Sequence, residues 1–352
     1  MLTTYAIIVP MTKDTAVFAY PKDELPNPGL LPGKMNLFGK LRERGVTPLV
    51  SRRAETAFDD SSIEAGVLVA ENEVRAVGRT ALEQVGVIVN RLDRSIKKDR
   101  LAEAVASDLP PLINENELRS LVFRKNRVQD EILADLGLGM PSVLLQSEDD
   151  VQKFVEANGE GEYFVKPNSG TFSKGIKRLD AADIHKHVAS EESYGKTLLQ
   201  PAYDFSGAFD ASIRPLDARS REDFETFNVN GTTKELRMYG FLGPNGVDVY
   251  PVARSMKDAD HWLFIDPESL PEKLYTDTKS VFQKAGQLTN SKAIYGALDI
   301  GYGARQGEVP DYHVVEFNGR APYMIGFDKH PEVANTLRDM FADQIASLTE
   351  IQ

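Results

Sequence analysis

The apolar runs of this chain change rhythm along its length, and that change restricts the fold more than any other feature. Over residues 1 to about 110, short apolar strands alternate with helical segments. Tyr5–Val9 reads as a first strand stopped by Pro10. Residues 33–45 carry Met35, Leu37, Phe38 and Leu41 at near-helical spacing and end on Gly45, a good helix terminator. Val46–Val50 reads as a strand whose Pro48 predicts an edge position, because proline cannot donate to a ladder. A hairpin is predicted over Gly66–Val77 and a further strand over Val85–Leu92. Strands alternating with helices predict a small, mostly parallel α/β unit.

Beyond that unit the pattern shifts twice. From about 111 to 195 the spacing predicts one long helix, Glu117 to Leu136, ended by Gly137. A strand over Pro141–Leu145, a helix capped by Ser147 and an apolar strand over Tyr163–Val165 follow. The acidic run Glu148–Asp150 suits the first turn of that capped helix. From about 196 strand follows strand: Thr197–Gln200, Leu236–Leu242, Val247–Ala253, Ala297–Ile300 and His313–Phe317. One helix, Pro271–Gln287, interrupts them and another, Pro331–Leu348, closes the chain. Residues 203–233 form the longest irregular stretch. These shifts predict three domains: 1–110, 111–195 and 196–352.

Composition narrows the chemistry. The 352 residues contain no cysteine, which removes disulfides, thiolate nucleophiles and cysteine-based metal sites. With 41 Lys+Arg against 53 Asp+Glu the net charge is −12, which argues against a wholly basic surface for nucleic acid or anionic membrane. No basic leader and no long uncharged apolar run is present, so a cytoplasmic protein is expected.

Against that acidic background, residues 163–178 hold Lys166, Lys174, Lys177 and Arg178 and no acid. An apolar strand ends there in Lys166-Pro167 and runs into the small polar loop Ser169 to Gly175. Glycines let backbone N–H groups approach phosphate oxygens, and a lysine at a strand end adds a point charge. A solvated basic hairpin is the alternative. The loop is neither a Walker A nor a dinucleotide-binding fingerprint.

A second constellation lies at Asp299 and at Glu316-Phe317-Asn318. Glu316 and Asn318, two apart in a strand, point to one face, with Val315 and Phe317 turned to the other. Asp299 lies on the preceding strand. Three oxygen donors on one sheet face are what Mg²⁺ takes when phosphates and water complete its shell. Elsewhere, His185 and His187 fall on different faces of a helix, and Trp262 reads as a core residue.

Taken in order, these pieces resemble the ATP-grasp superfamily over about residues 111–325, in the manner of ribosomal-protein glutamate ligase, glutathione synthetase and D-alanine–D-alanine ligase. The resemblance implies an α/β (α+β) ATP-grasp fold behind an N-terminal Rossmann-like domain. It implies ATP contacts at Lys125, Lys166, Ser169, Gly170, Ser173, Gly175, Gln200 and Tyr203, and metal ligation by Asp299, Glu316 and Asn318. Two Mg²⁺ ions are implied, with Mn²⁺ as a substitute. An acidic-apolar-Arg motif matches at Glu235-Leu236-Arg237, with Asp210 and Arg214 as a rival pair, and a following strand-end arginine matches at Arg254. The implied activity is ATP-dependent joining of a carboxylate, such as an amino acid or small peptide, to an amine through an acyl phosphate. Arg254, Arg237 and Arg320 are the implied catalytic arginines, each well-placed donor being worth roughly 3–4 kcal/mol. Arg320 would clamp a substrate carboxylate or else lie on the surface. A small-molecule kinase or a non-catalytic nucleotide binder is the alternative reading, and the resemblance also admits a homodimer. Pro201 stands where the family usually has glutamate, and Ala297 stands where some D-alanine ligases have arginine.

Overall fold

Three sheets follow one another along the chain in the computed structural model, which describes residues 14–20, 31–52, 62–70, 73–81, 84–90, 110–169, 175–188, 194–205, 213–216, 234–255, 262–305, 307–319 and 331–350. The expected strand Tyr5–Val9 and most of the 203–233 stretch lie outside those residues.

The first sheet contains β1 (Thr15–Tyr20), β2 (Thr47–Arg52), β3 (Ser62–Ala70), β4 (Glu73–Ala81), β5 (Val87–Asn90) and β6 (Leu112–Ile113) in the order β4-β3-β2-β1-β5-β6. Strands β2, β1, β5 and β6 are parallel, while β3 and β4 form an antiparallel hairpin beside them. Helix α1 (Leu31–Glu43) connects β1 to β2. It stops at Gly45, whose φ of 78° permits a closing turn: Gly45 N–H donates to Arg42 and Val46 N–H donates to Leu41. Pro48 does not mark an edge, for β2 lies inside the sheet. Thr47 N–H points towards β1, donating to Asp14, so the alternate residue Pro48 turns its missing donor to the β3 side. There a single residue pair, Val50 with Gly66, makes the ladder.

The second sheet holds β7 (Val143–Leu144), β8 (Glu162–Pro167), β9 (Lys177–Asp180) and β10 (Thr197–Pro201) in the order β7-β10-β8-β9. Strand β10, read from the sequence with the last stretch, thus pairs inside this sheet. The expected helix from Glu117 to Leu136 is broken. Helix α2 (Asn116–Phe123) stops at Arg124, whose φ/ψ of −102°/104° is extended. A short turn α3 (Lys125–Arg127) then restarts and widens into a π turn over Val128–Leu133. Helices α4 (Glu148–Asn158) and α5 (Ala181–Val188) cover the sheet through Val151, Ile184 and Val188. At the start of α4, Asp150 accepts the N–H groups of Gln146 and Ser147. His185 approaches Glu148 and His187 approaches Lys177, as expected of residues on separate faces.

The third sheet is antiparallel: β11 (Lys234–Gly243), β12 (Gly246–Ser255), β13 (Trp262–Leu263), β14 (Ile294–Gly303) and β15 (Asp311–Asn318), in the order β13-β12-β11-β14-β15. Helix α6 (Glu272–Thr289) packs on one face, where Gly240 and Gly296 pair directly across β11 and β14 and leave room for the Phe282 ring. A Cβ on Gly240 would lie 2.4 Å from that ring. Helix α7 (Pro331–Glu350) covers the other face, sharing one core with the first sheet: Phe18, Val50 and Val89 on one side, Tyr239, Phe241 and Tyr295 on the other, and Leu337, Phe341 and Ile345 between. Asn114, at φ 62°, joins the two sheets. Its carboxamide pairs with both backbone groups of Tyr295, and its own N–H donates to Ala293. Among the described residues no helix is long and apolar enough to cross a membrane.

Candidate functional site

Three elements converge: the end of β8, the restart of the broken helix, and the paired strands β14 and β15. Lys166 reaches its place because β8 alternates, and it is almost wholly buried. Its Nζ donates to Gln200 Oε1 at 2.5 Å, across from β10. Burial in the first place, and the charge of Lys125 in the second, push the Lys166 ammonium down to about 8; Glu316 opposes them.

Lys125 stands at the helix break, and the break has a visible cause. Arg124 offers no side-chain cap. Asn168, arriving from β8, supplies one instead: Lys125 N–H donates to the Asn168 carbonyl at 2.9 Å, and Asn126 N–H donates to Asn168 Oδ1 at 2.9 Å. Asn168 is held in turn by its N–H donating to Lys196 at 2.7 Å. The continuous apolar periodicity of 117–136 concealed this interruption, because the partner that stabilises it lies more than 40 residues away in sequence.

Across β11, β14 and β15, Arg237, Asp299 and Glu316 occupy one row, each opposite the next. The ladder skips Val315 between the pairs Asp299–Glu316 and Ile300–Val314, a bulge that re-aims the strand. Val315 therefore does not join Phe317 in the α6 core as expected. It packs against Met140, Tyr203 and Phe205. Arg237 donates to both oxygens of Asp299, Nε at 2.6 Å and Nη2 at 2.7 Å, and Asn318 Nδ2 donates to the same carboxylate at 2.8 Å. Burial alone would lower the Arg237 guanidinium, but the charge and hydrogen bonds of the Asp299 carboxylate raise it above its usual range. Glu235 lies beside Arg237, 3.9 Å from Nη2, and is buried. The rival Arg214 is exposed and pairs with Asp266.

Glu316 has no hydrogen bond or ion pair to the described residues. Burial first, then the Asp299 charge, raises its carboxyl pKa, while Lys125, Lys166 and Arg237 pull it down. A half-buried carboxylate with no such partner among the described residues, beside a second carboxylate, is a site that a divalent cation relieves. The donors are hard oxygens, from Asp299, Glu316 and the carbonyl of the Asn318 carboxamide, which fits Mg²⁺ or Mn²⁺. No cluster of three acidic or histidine side chains among the described residues forms a cage by itself, so phosphate and water oxygens would complete the shell.

The remaining expected residues divide. Gln200 is buried, with Nε2 lacking a hydrogen-bond partner among the described residues. The Tyr203 ring is taken up by neighbours, with His313 at 4.4 Å and Phe205 stacked at 6.1 Å between centroids. Burial lowers the His313 pKa. Ser169 is exposed just past β8, and Gly175 has a φ of 78°. The Arg254 backbone stands opposite Glu235. Gly170, Ser173, Asp210 and Arg320 lie outside the described residues. Asn168 is the participant that the sequence did not single out. An amide directly after Lys-Pro, before a small polar loop, is the signal that marks it.

No protein-family model matches the chain, and no curated protein sequence does. Solved structures do match in fold. D-cycloserine synthetase DcsG is 16% identical, with 94% of this chain and 99% of that chain covered and a TM-score of 0.55. ATP-grasp ligase PsnB, complexed with a minimal precursor, Mg and ADP, is 15% identical, with 97% and 99% covered and a TM-score of 0.53. D-alanyl-alanine synthetase A from Vibrio cholerae is 13% identical, with 97% and 100% covered and a TM-score of 0.58.

Proposed function

On the ATP-grasp fold that this chain adopts, we propose an ATP- and Mg²⁺-dependent ligase that joins a carboxylate to an amine. The observation that carries this reading is the meeting of two lysines with a glutamate that has no hydrogen bond among the described residues, Lys125 and Lys166 with Glu316, beside Asp299 and Asn318. Cations and hard oxygen ligands on facing elements are what phosphoryl transfer needs, since that reaction depends on positioning and charge neutralisation. ATP lies between the lobes 111–195 and 196–352, with Ser169, Gly170, Ser173 and Gly175 over the phosphates and Gln200 and Tyr203 on the base side.

Lys166 and Lys125 neutralise phosphate charge while a substrate carboxylate oxygen attacks the γ-phosphorus and ADP leaves. The amine then attacks the acyl carbon, phosphate departs, and an amide forms. Asp299, Glu316 and Asn318 would hold Mg²⁺, which would supply charge neutralisation to the phosphates. Arg254 and Arg237 stabilise the charge that develops, and Arg320 orients the substrate carboxylate. An amino acid or small peptide is the acid, and the 1–110 domain contributes to its choice. A cytoplasmic setting and a homodimeric assembly complete the reading.

Hydroxylamine trapping tests it. Incubation with ATP, Mg²⁺, a pool of carboxylates and hydroxylamine is expected to yield ADP and a hydroxamate, and Lys166→Ala or Glu316→Ala is expected to abolish both without loss of fold. ADP with a stable phosphoester instead identifies a kinase, and no ADP identifies a nucleotide binder.

A further inference from the structure

We infer that Asn168 is a positioning residue for the phosphate-binding pair, acting through Lys125. This inference rests on the nucleotide site proposed above and goes beyond it, for Asn168 directly follows β8 and belongs neither to the helix that carries Lys125 nor to the strands that carry Asp299, Glu316 and Asn318.

Lys125 and Lys166 are like charges, and the proximity of Lys125 disfavours the charged form of Lys166. Something other than their own side chains must therefore hold them together before nucleotide arrives. The link is Asn168. It follows Lys166 by two residues on the same segment, so the backbone that places one lysine also carries the group that places the other. Its carbonyl accepts the Lys125 N–H, and its side-chain oxygen accepts the next N–H, that of Asn126. These are orphan donors of a helix start, and Arg124 leaves them without a local cap. The side chain is buried, and its backbone N–H is fixed on Lys196. The cap therefore comes from a distant, anchored segment, and the helix breaks at the residue before Lys125 rather than continuing through it. A continuous helix would carry Lys125 round on a different turn.

The test is a double-mutant cycle read by MgADP binding in calorimetry. Asn168→Ala is expected to weaken binding by roughly five- to tenfold, the scale of a lost cap. In a Lys125→Met background the same change is expected to alter affinity by less than about twofold, because the residue acts through that lysine. Asn168→Asp keeps the acceptor oxygen and is expected to recover at least half of the lost affinity. Asn168→Ser, shorter by one atom, supplies an intermediate measurement if the alanine variant does not fold. Wild-type affinity in Asn168→Ala, or an equal loss with and without Lys125, overturns the inference and leaves the nucleotide site standing. A wild-type protein that binds no MgADP removes both.

Discussion

At the scale of the residue, the site is governed by charges held out of water. Lys166 is the clearest case, because its ammonium is pushed down to about 8 by burial and by Lys125. The sign follows directly. Between about 8 and the usual lysine value the folded protein has lost this proton while the unfolded chain keeps it, so stability gains a contribution as pH rises through that window. Holding the charge at neutral pH costs on the order of 3 kcal/mol, which a bound phosphate would offset. Nucleotide binding runs the other way: MgADP affinity is expected to fall about tenfold per unit as pH rises above about 8, and Lys166→Met to flatten that dependence. Calorimetric titration across this range checks it, and a pH-independent affinity in the wild type would sink the argument. Glu316 and Asn318 were readable from the sequence, because residues two apart in a strand share a face. That Arg237 would close on Asp299 from the opposite strand was not, since only the register of β11 on β14 makes them neighbours.

Elements show where local pattern suffices and where it does not. Helix α1 is fully local: apolar spacing makes it and Gly45 ends it. The antiparallel strands of the third sheet were visible as apolar runs of the right length. Their glycines have a meaning that only packing supplies, for Gly240 and Gly296 face each other under Phe282. Gly240→Ala is expected to destabilise the protein by about 1–3 kcal/mol through overpacking, measured as a lower denaturation midpoint. Gly246→Ala is a poor comparison because of its φ of 106°. Gly39→Ala, in α1 with open space around its Cβ, should be neutral or stabilising. The helix break at Arg124 defeats local reasoning altogether. Residues 117–136 carry a sound helical period, and the interruption is stabilised by Asn168, a partner outside that segment.

On the scale of the whole molecule, the first sheet and the third share a core around α7, so the face carrying the Arg237–Asp299–Glu316 row is fixed to the N-terminal unit. Ion pairs also cross this junction, Lys40 and Arg44 with Asp339 and Asp343. They are partly exposed and worth at most about 1 kcal/mol each, whereas truncating a buried leucine costs about 2–5 kcal/mol. Leu337→Ala is therefore expected to lower the unfolding free energy far more than Asp339→Ala, and only the latter effect should shrink in high salt. Chemical denaturation at two ionic strengths decides, and equal losses would contradict the ranking. The sequence by itself determined the elements that need only their own neighbours: the α/β alternation, the antiparallel last third, and the oxygen donors that strand alternation sets on one face. Tertiary structure decided the rest. It placed β2 inside its sheet, broke the predicted helix to seat Lys125, and paired Arg237 with Asp299. Each of these depends on a partner far along the chain, and hydrogen bonds and ion pairs between such partners leave no periodic trace in the segments that make them.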